Sequence, residues 1–232
     1  VKNEGISFLD NLICNESATK TAIAQRQNDK FSIGVSNVKK LEIDRFIGED
    51  VKNSLTGLIP LDLLKNYLLQ NCRNILKAQA GNGKTWALMQ IAIDKDYLKD
   101  LGVEQVIFCV PTTAIADQLS QDFINRFSEG KEKFEVPKIT SNTDENEILE
   151  SYNSQIIITT YDSLYKVDWK IREALLIVDE FHELRNAKNY RAGACNEVFE
   201  RMNIAKKALA ISATPVIEFT TNLTENFNYQ LI

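Results

Sequence analysis

The sequence has no run of 18 consecutive apolar residues, so no membrane-spanning helix is expected. It has little cysteine: Cys14, Cys72, Cys109 and Cys195 are far apart, with no C-x-x-C pair. That spacing argues against a zinc site and against a disulfide framework, and makes a reducing, cytoplasmic setting the default expectation. It holds one histidine, His182. Four prolines and nine glycines are too few for a collagen-like or low-complexity chain. There is no excess of positive charge, because 27 Lys and Arg face 32 Asp and Glu for a net of -5. A protein that coats nucleic acid through bulk charge is therefore excluded, although a local basic groove is not. No signal-peptide core follows the N-terminus, and the chain starts at Val1 rather than Met, as an excised piece would.

What is present is a chain of 232 residues, 44% apolar and 25% charged, long enough for one large domain with an appendage. Residues 1–66 carry nine basic and nine acidic side chains, so the acidic excess lies in the remainder, at 18 against 23. The first part contains no readable motif. Helical patterning around Val38 to Ile47, and a helix start at Leu61 after Pro60, predict a small helical extension over residues 1–66. From residue 67 to 232 the pattern changes. Short apolar runs at Asn74–Ala80, Glu104–Val110, Gln155–Thr160, Ala174–Val178 and Ala208–Ser212 read as strands buried on both faces. Helical stretches lie between them at Lys84–Leu98, at Thr112–Phe127 and from Ala192 onward. The stretch 129–146 is polar and loop-like apart from Val136–Ile139. This rhythm predicts an α/β domain with a mainly parallel sheet flanked by helices, whose site lies beyond the carboxyl ends of the strands.

The residues after each run carry the chemistry. After the first comes Ala78-Gln79-Ala80-Gly81-Asn82-Gly83-Lys84-Thr85. Its glycines let backbone N–H groups approach an anion, and the following helix aims its positive end at phosphates. In this pattern Lys84 reaches the β- and γ-phosphates and the Thr85 hydroxyl ligates Mg²⁺. After the fourth run comes Asp179-Glu180-Phe181-His182. A carboxylate at that strand end suits Mg²⁺, and Glu180 is placed to polarise an attacking water. An acidic helix cap is the plainer alternative. After the last run, Ser212 and Thr214 offer hydroxyls to the acidic motif, and His182 could couple the two. Thr112 and Thr113, and Thr160 and Ser163, stand at or near helix starts, where a hydroxyl either caps the helix or holds a nucleic-acid phosphate. Lys166, Lys170 and Arg172, and Arg185, Lys188 and Arg191, form either solvated faces or a local phosphate track.

Taken in order, these residues resemble the superfamily 2 helicases and translocases of the DExD/H-box type. Ala78 to Thr85 looks like their motif I in its A-x-x-G-x-G-K-T form, and Pro111-Thr112-Thr113 with Gln118 like motif Ia. Thr159 to Leu164 is similar to the T-Y-x-S-L contact, Asp179 to His182 to motif II, and Ser212-Ala213-Thr214 to motif III. The resemblance implies the first RecA-like domain of such an enzyme: a P-loop NTPase fold that binds ATP and Mg²⁺ and one face of a DNA or RNA strand. It implies nucleotide contacts from Ala80, Gly81, Asn82, Gly83, Lys84, Thr85 and Trp86, with Mg²⁺ at Thr85 and Asp179 and catalysis by Lys84, Asp179 and Glu180. Coupling would fall to His182, Ser212 and Thr214, and strand contact to Thr112, Thr113, Thr160 and Ser163. Motifs IV to VI, the arginine fingers and an adenine-contacting Q motif are not found in these residues. A second RecA-like domain, on the same or another polypeptide, is thus an expected partner, and the chain alone is expected to hydrolyse ATP weakly. A rival reading is a stand-alone ATP-binding switch that acts on a protein partner without strand transport. A third is an inactive structural domain, which the intact Lys84, Asp179 and Glu180 disfavour.

Overall fold

The computed structural model describes residues 31–33, 41–43, 45–47, 58–77, 81–128, 135–184 and 192–212. The strands are β1 (Phe31–Ile33), β2 (Leu41–Ile43), β3 (Arg45–Ile47), β4 (Arg73–Lys77), β5 (Gln105–Val110), β6 (Lys138–Ile139), β7 (Ile156–Thr160), β8 (Ala174–Val178) and β9 (Lys207–Ser212). The helices are α1 (Leu61–Gln70), α2 (Lys84–Ile93), α3 (Lys95–Leu101), α4 (Thr113–Phe127), α5 (Glu145–Glu150) and α6 (Ala192–Ile204). Seven strands form one sheet in the order β3-β4-β9-β8-β5-β7-β6, with every neighbouring pair parallel. The strands β1 and β2 pair antiparallel beside it.

Period-two alternation explains why each run is apolar throughout. Val106, Phe108 and Val110 of β5 face one core, with Leu64 and Leu68 of α1, Ile91 of α2, Leu98 of α3 and Phe123 of α4. Ile107 and Cys109 face the other, with Tyr161, Leu164 and Phe199. Strands covered on both sides in this way cannot alternate with polar residues. Phe123 is fully buried and meets Phe108 edge-on at 5.5 Å between ring centroids. Truncating such a ring to Ala costs about 3–5 kcal/mol.

Local departures from the sequence reading have physical reasons. The long helix expected over 84–98 breaks at Asp94, which leaves helical geometry and caps α3 by accepting from the Tyr97 amide at 3.0 Å. The same carboxylate meets Lys65 of α1 at 2.6 Å, which holds its pKa below the usual value. The patterning around Val38–Ile47 forms strands rather than a helix where it is described, at 41–43 and 45–47. Within the expected helical extension, residues 31–33 also form a strand, and a helix does start at Leu61 after Pro60; residues 1–30, 34–40, 44 and 48–57 lie outside the described residues. Helix α1 straddles position 66 and buries Leu64, Tyr67 and Leu68 in the domain core. Val136–Ile139 supplies the edge strand β6. Among the described residues no helix is long and apolar enough to cross a membrane.

Candidate functional site

The sheet order brings together three segments that are far apart in sequence. Strand β9 lies between β4 and β8. Its register pairs Ser212 with Lys77 on one side and Ala210 with Val178 on the other. The glycine-rich loop after β4, Ser212, and the acidic turn after β8 therefore meet at one rim, at the carboxyl ends of neighbouring strands.

The loop has left-handed backbone at both described glycines, with φ +86° at Gly81 and +70° at Gly83. An added Cβ at Gly81 would meet nothing within 4 Å, so that side of the loop is open to a bulky anion. An added Cβ at Gly83 would approach Leu58 Cδ2 to 3.0 Å. Here conformation and close packing both require glycine. The segment before α1 steadies the loop, because the Ile59 amide donates to the Asn82 carbonyl at 3.0 Å. Gly83 gives way to Lys84 at the start of α2, whose first turn has no side-chain cap. Uncapped amides at a helix N-terminus, open space at Gly81 and a lysine fit a polyphosphate. Thr85 and Trp86 are exposed on the first turn, Trp86 by 45%. Ala80 and Ala78 lie outside the described residues.

The acidic turn is held from several sides. The Asp179 amide donates to Cys109 O at 2.9 Å, and the Phe181 amide to Ile211 O at 2.7 Å. Glu180 takes φ +48°, a left-handed conformation uncommon outside glycine. Burial raises the Asp179 pKa above the ordinary aspartate value, and the nearby Glu180 charge adds to the rise. A hydrogen bond from the Glu180 amide at 2.9 Å and the charge of Lys84 oppose it. Such a poorly solvated carboxylate, within the electrostatic reach of Lys84, suits a hard divalent cation. Glu180 Oε2 is buried without a hydrogen bond, although His182 Nδ1 lies 3.3 Å from it. His182 Nδ1 is also 3.0 Å from Ser212 Oγ, and its Nε2 is 3.1 Å from Glu183 Oε1. The histidine thus bridges the acidic turn and the end of β9. Thr214 lies outside the described residues.

The expected strand-contact residues divide. Thr112 and Thr113 are exposed at the start of α4, where Thr112 Oγ1 accepts from the Ile115 amide at 3.3 Å. Thr160 and Ser163 are instead buried, at 6% and 1% exposure, and Thr160 Oγ1 donates to Ser163 Oγ at 3.1 Å. Their hydroxyls face each other rather than solvent. Two of the expected basic residues are engaged within the chain. Lys166 Nζ donates to the carbonyls of Thr140, Ser141 and Thr143 at 2.9–3.1 Å, and Lys170 pairs with Glu104 at 2.9 Å. Arg185, Lys188 and Arg191 lie outside the described residues. Cys109 is a buried free thiol, its pKa pushed well up by burial.

One participant is not legible as such in the sequence. The Tyr161 phenol donates to the carbonyl of Asp179 and to that of Glu180, the latter at 3.1 Å. The T-Y-x-S-L pattern marks this tyrosine but does not say that its hydroxyl reaches the acidic turn.

Comparison with known proteins places this arrangement. The family model for the "Type III restriction enzyme, res subunit" (ResIII) matches residues 47–217, well over half of the chain. A protein of Sulfolobus islandicus filamentous virus (isolate Iceland/Hveragerdi), carrying the provisional name helicase 7, is 26% identical over 156 residues. That match covers 65% of this chain and 25% of the viral protein. The DUF1998 helicase MrfA bound to DNA superposes over 74% of this chain and 24% of its own, at 15% identity and a TM-score of 0.51. UvsW helicase of bacteriophage T4 aligns over 71% of this chain and 56% of its own, at 16% identity and a TM-score of 0.47. The chain thus spans about a quarter of the viral relative. It belongs to the ResIII family of the helicase superfamily, with the RecA-like fold of an ATP-binding domain.

Proposed function

We propose that this chain is the nucleotide-binding half of a DExH-type helicase or translocase that couples Mg-ATP hydrolysis to movement along DNA or RNA. The single observation that carries this is the meeting of the glycine loop, the buried Asp179 and Ser212 at one rim of the sheet. Each residue then has a role. Lys84 and the amides of Gly81 to Thr85 hold the β- and γ-phosphates. Thr85 and Asp179 hold Mg²⁺, which when bound neutralises phosphate charge. Glu180 orients the attacking water and takes up its proton, with His182 Nδ1 3.3 Å from its Oε2. His182 and Ser212, with Thr214, relay the state of the γ-phosphate to the strand face, where exposed Thr112 and Thr113 meet the nucleic-acid backbone. The buried hydroxyls of Thr160 and Ser163 support that face from beneath. The fold shared with the helicase MrfA, whose structure is bound to DNA, favours a nucleic-acid partner. A second RecA-like domain, in cis or in trans, supplies the arginine that closes over the γ-phosphate, so this chain alone turns over slowly. A cytoplasmic location goes with this reading.

Calorimetry with Mg-ATP tests it, on the unmodified chain and on Lys84→Ala. Saturable binding that the substitution weakens by roughly tenfold or more supports the reading, as loss of a charge-assisted contact should. No binding, or equal binding by both, overturns it.

A further inference from the structure

Tyr161 begins the turn of 3-10 helix that follows β7, two strands away from the acidic turn in the sheet order β8-β5-β7. The registers Val110 with Thr160 and Cys109 with Val178 set Tyr161 level with the residues just past β8. The ring is 1% exposed and packs in the core that includes Cys109 and Val178. A purely apolar role would be filled by phenylalanine. Yet the phenol reaches the turn after β8 and shares its one proton in a bifurcated hydrogen bond between two successive carbonyls, those of the two residues that carry the carboxylates. One of the two, Glu180, has the only positive φ among the described non-glycine residues. Left-handed backbone at such a residue persists only where its surroundings hold it. The amides of Asp179 and Phe181 fasten the turn to β5 and β9. The Glu183 amide, 2.8 Å from the Glu180 carbonyl, closes the turn on itself. Tyr161 ties the carbonyl side of the turn to the segment after β7.

We propose that Tyr161 is a positioning residue for the Mg-ATP site: its hydroxyl fixes the Asp179–Glu180 turn so that the Asp179 carboxylate faces the phosphate loop. This rests on the function proposed above. It assigns the tyrosine of the T-Y-x-S-L segment to the nucleotide side of the domain, not to strand contact. Removing the hydroxyl frees the turn to relax while the loop of Gly81–Thr85, on the far side of β9, stays as it is.

ATP binding in EDTA reads the phosphate loop alone, and the extra affinity gained with Mg²⁺ reads the acidic turn. The test measures both by calorimetry on the whole chain, Tyr161→Phe and Lys84→Ala, with thermal midpoints alongside. In Tyr161→Phe the EDTA affinity is unchanged. The Mg²⁺ gain falls by roughly three- to tenfold, as the loss of one neutral hydrogen bond predicts. An undiminished Mg²⁺ gain overturns the proposal. So does a parallel loss of both affinities, or a variant that no longer folds, because either makes Tyr161 a general stability residue. Should the unmodified chain bind no ATP, or Lys84→Ala bind as well as it does, the underlying reading fails first and takes this one with it.

Discussion

The two ends of the central sheet are built in opposite ways. At the amino ends, long polar side chains are spent on carbonyls. Lys207 Nζ donates to Leu69 O and Asn71 O at 3.0 Å each, and Gln155 Nε2 to Ala92 O at 2.8 Å. Gln105 likewise donates to Ser154 O, and Lys170 is paired with Glu104. At the carboxyl ends of β4, β9 and β8 the backbone is left-handed at Gly81, Gly83 and Glu180, α2 starts without a side-chain cap, and burial raises the Asp179 pKa. One end closes helix ends and fixes register. The other holds strain and incompletely satisfied charge, the usual mark of a site whose missing partner is a ligand.

The contrast is sharpest where substitutions at the two ends should do opposite things. The largest expected effect is on turnover. Glu180→Gln should cut hydrolysis by roughly 10²–10⁴-fold, the typical worth of an acid–base group, with Mg-ATP affinity nearly kept. A rate unchanged in a phosphate-release assay would remove Glu180 from the chemistry. At the other end, Lys207→Met takes the ammonium from Leu69 O and leaves Asn71 O only the long Asn74 amide contact, and should destabilise the chain by about 1–3 kcal/mol. Denaturant unfolding would read that loss, and calorimetry should find ATP affinity unaltered. If Lys207→Met weakened ATP binding as much as stability, the division between the ends would be false.

Asp179→Asn should show a gain where Lys207→Met shows a loss. The Asp179 pKa is raised in the folded chain, so the unfolded chain releases that proton at lower pH. Stability from this group therefore falls as pH rises from the unfolded aspartate value through the folded one, and stays low above it. Without ligand, the Asn variant should melt higher than the parent at pH 7, and the difference should shrink as pH falls towards 4. Its Mg²⁺-dependent ATP affinity should be lost. Thermal melts at the two pH values would refute the sign if the Asn variant melted lower throughout. The smallest expected effect is Thr112→Ala, which removes a helix cap worth about 1 kcal/mol. If Thr112 also meets a phosphate, the same variant should bind an oligonucleotide more weakly in a fluorescence-anisotropy titration, by more than the stability change explains.

Much of this architecture is legible in the amino-acid sequence, for a reason specific to parallel sheets. Strands covered on both faces give uninterrupted apolar runs. The ends of β5, β7, β8 and β9 therefore fall within one residue of the runs at Glu104–Val110, Gln155–Thr160, Ala174–Val178 and Ala208–Ser212. The glycine loop and Asp179–Glu180 are legible because each is a contiguous segment whose chemistry is local. What is not legible depends on partners distant in sequence. Asp94 reads as one more polar residue of a helix until Lys65 and the Tyr97 amide engage it. Lys166 reads as a free cation until its ammonium is found closing the turn at 140–143. Thr160 and Ser163 read as open hydroxyls until burial turns them towards each other.

The place of β9 has a consequence for how the protein reaches its working form. Among the described residues this strand is the last of the sheet in sequence, yet it sits at the centre of the rim, pairing Arg73 with Ala208 and Leu175 with Lys207. A nascent chain can make the glycine loop, the acidic turn and the helices between them while the slot for β9 is empty. The rim cannot be brought to register until that last segment arrives and closes a very long loop. Such non-local pairing is slow, because closure entropy is lost before the new contacts form. ATP binding should therefore appear as a late event in refolding, after most helical signal has returned, and the newborn domain would pass through a stage that is largely folded but blind to nucleotide.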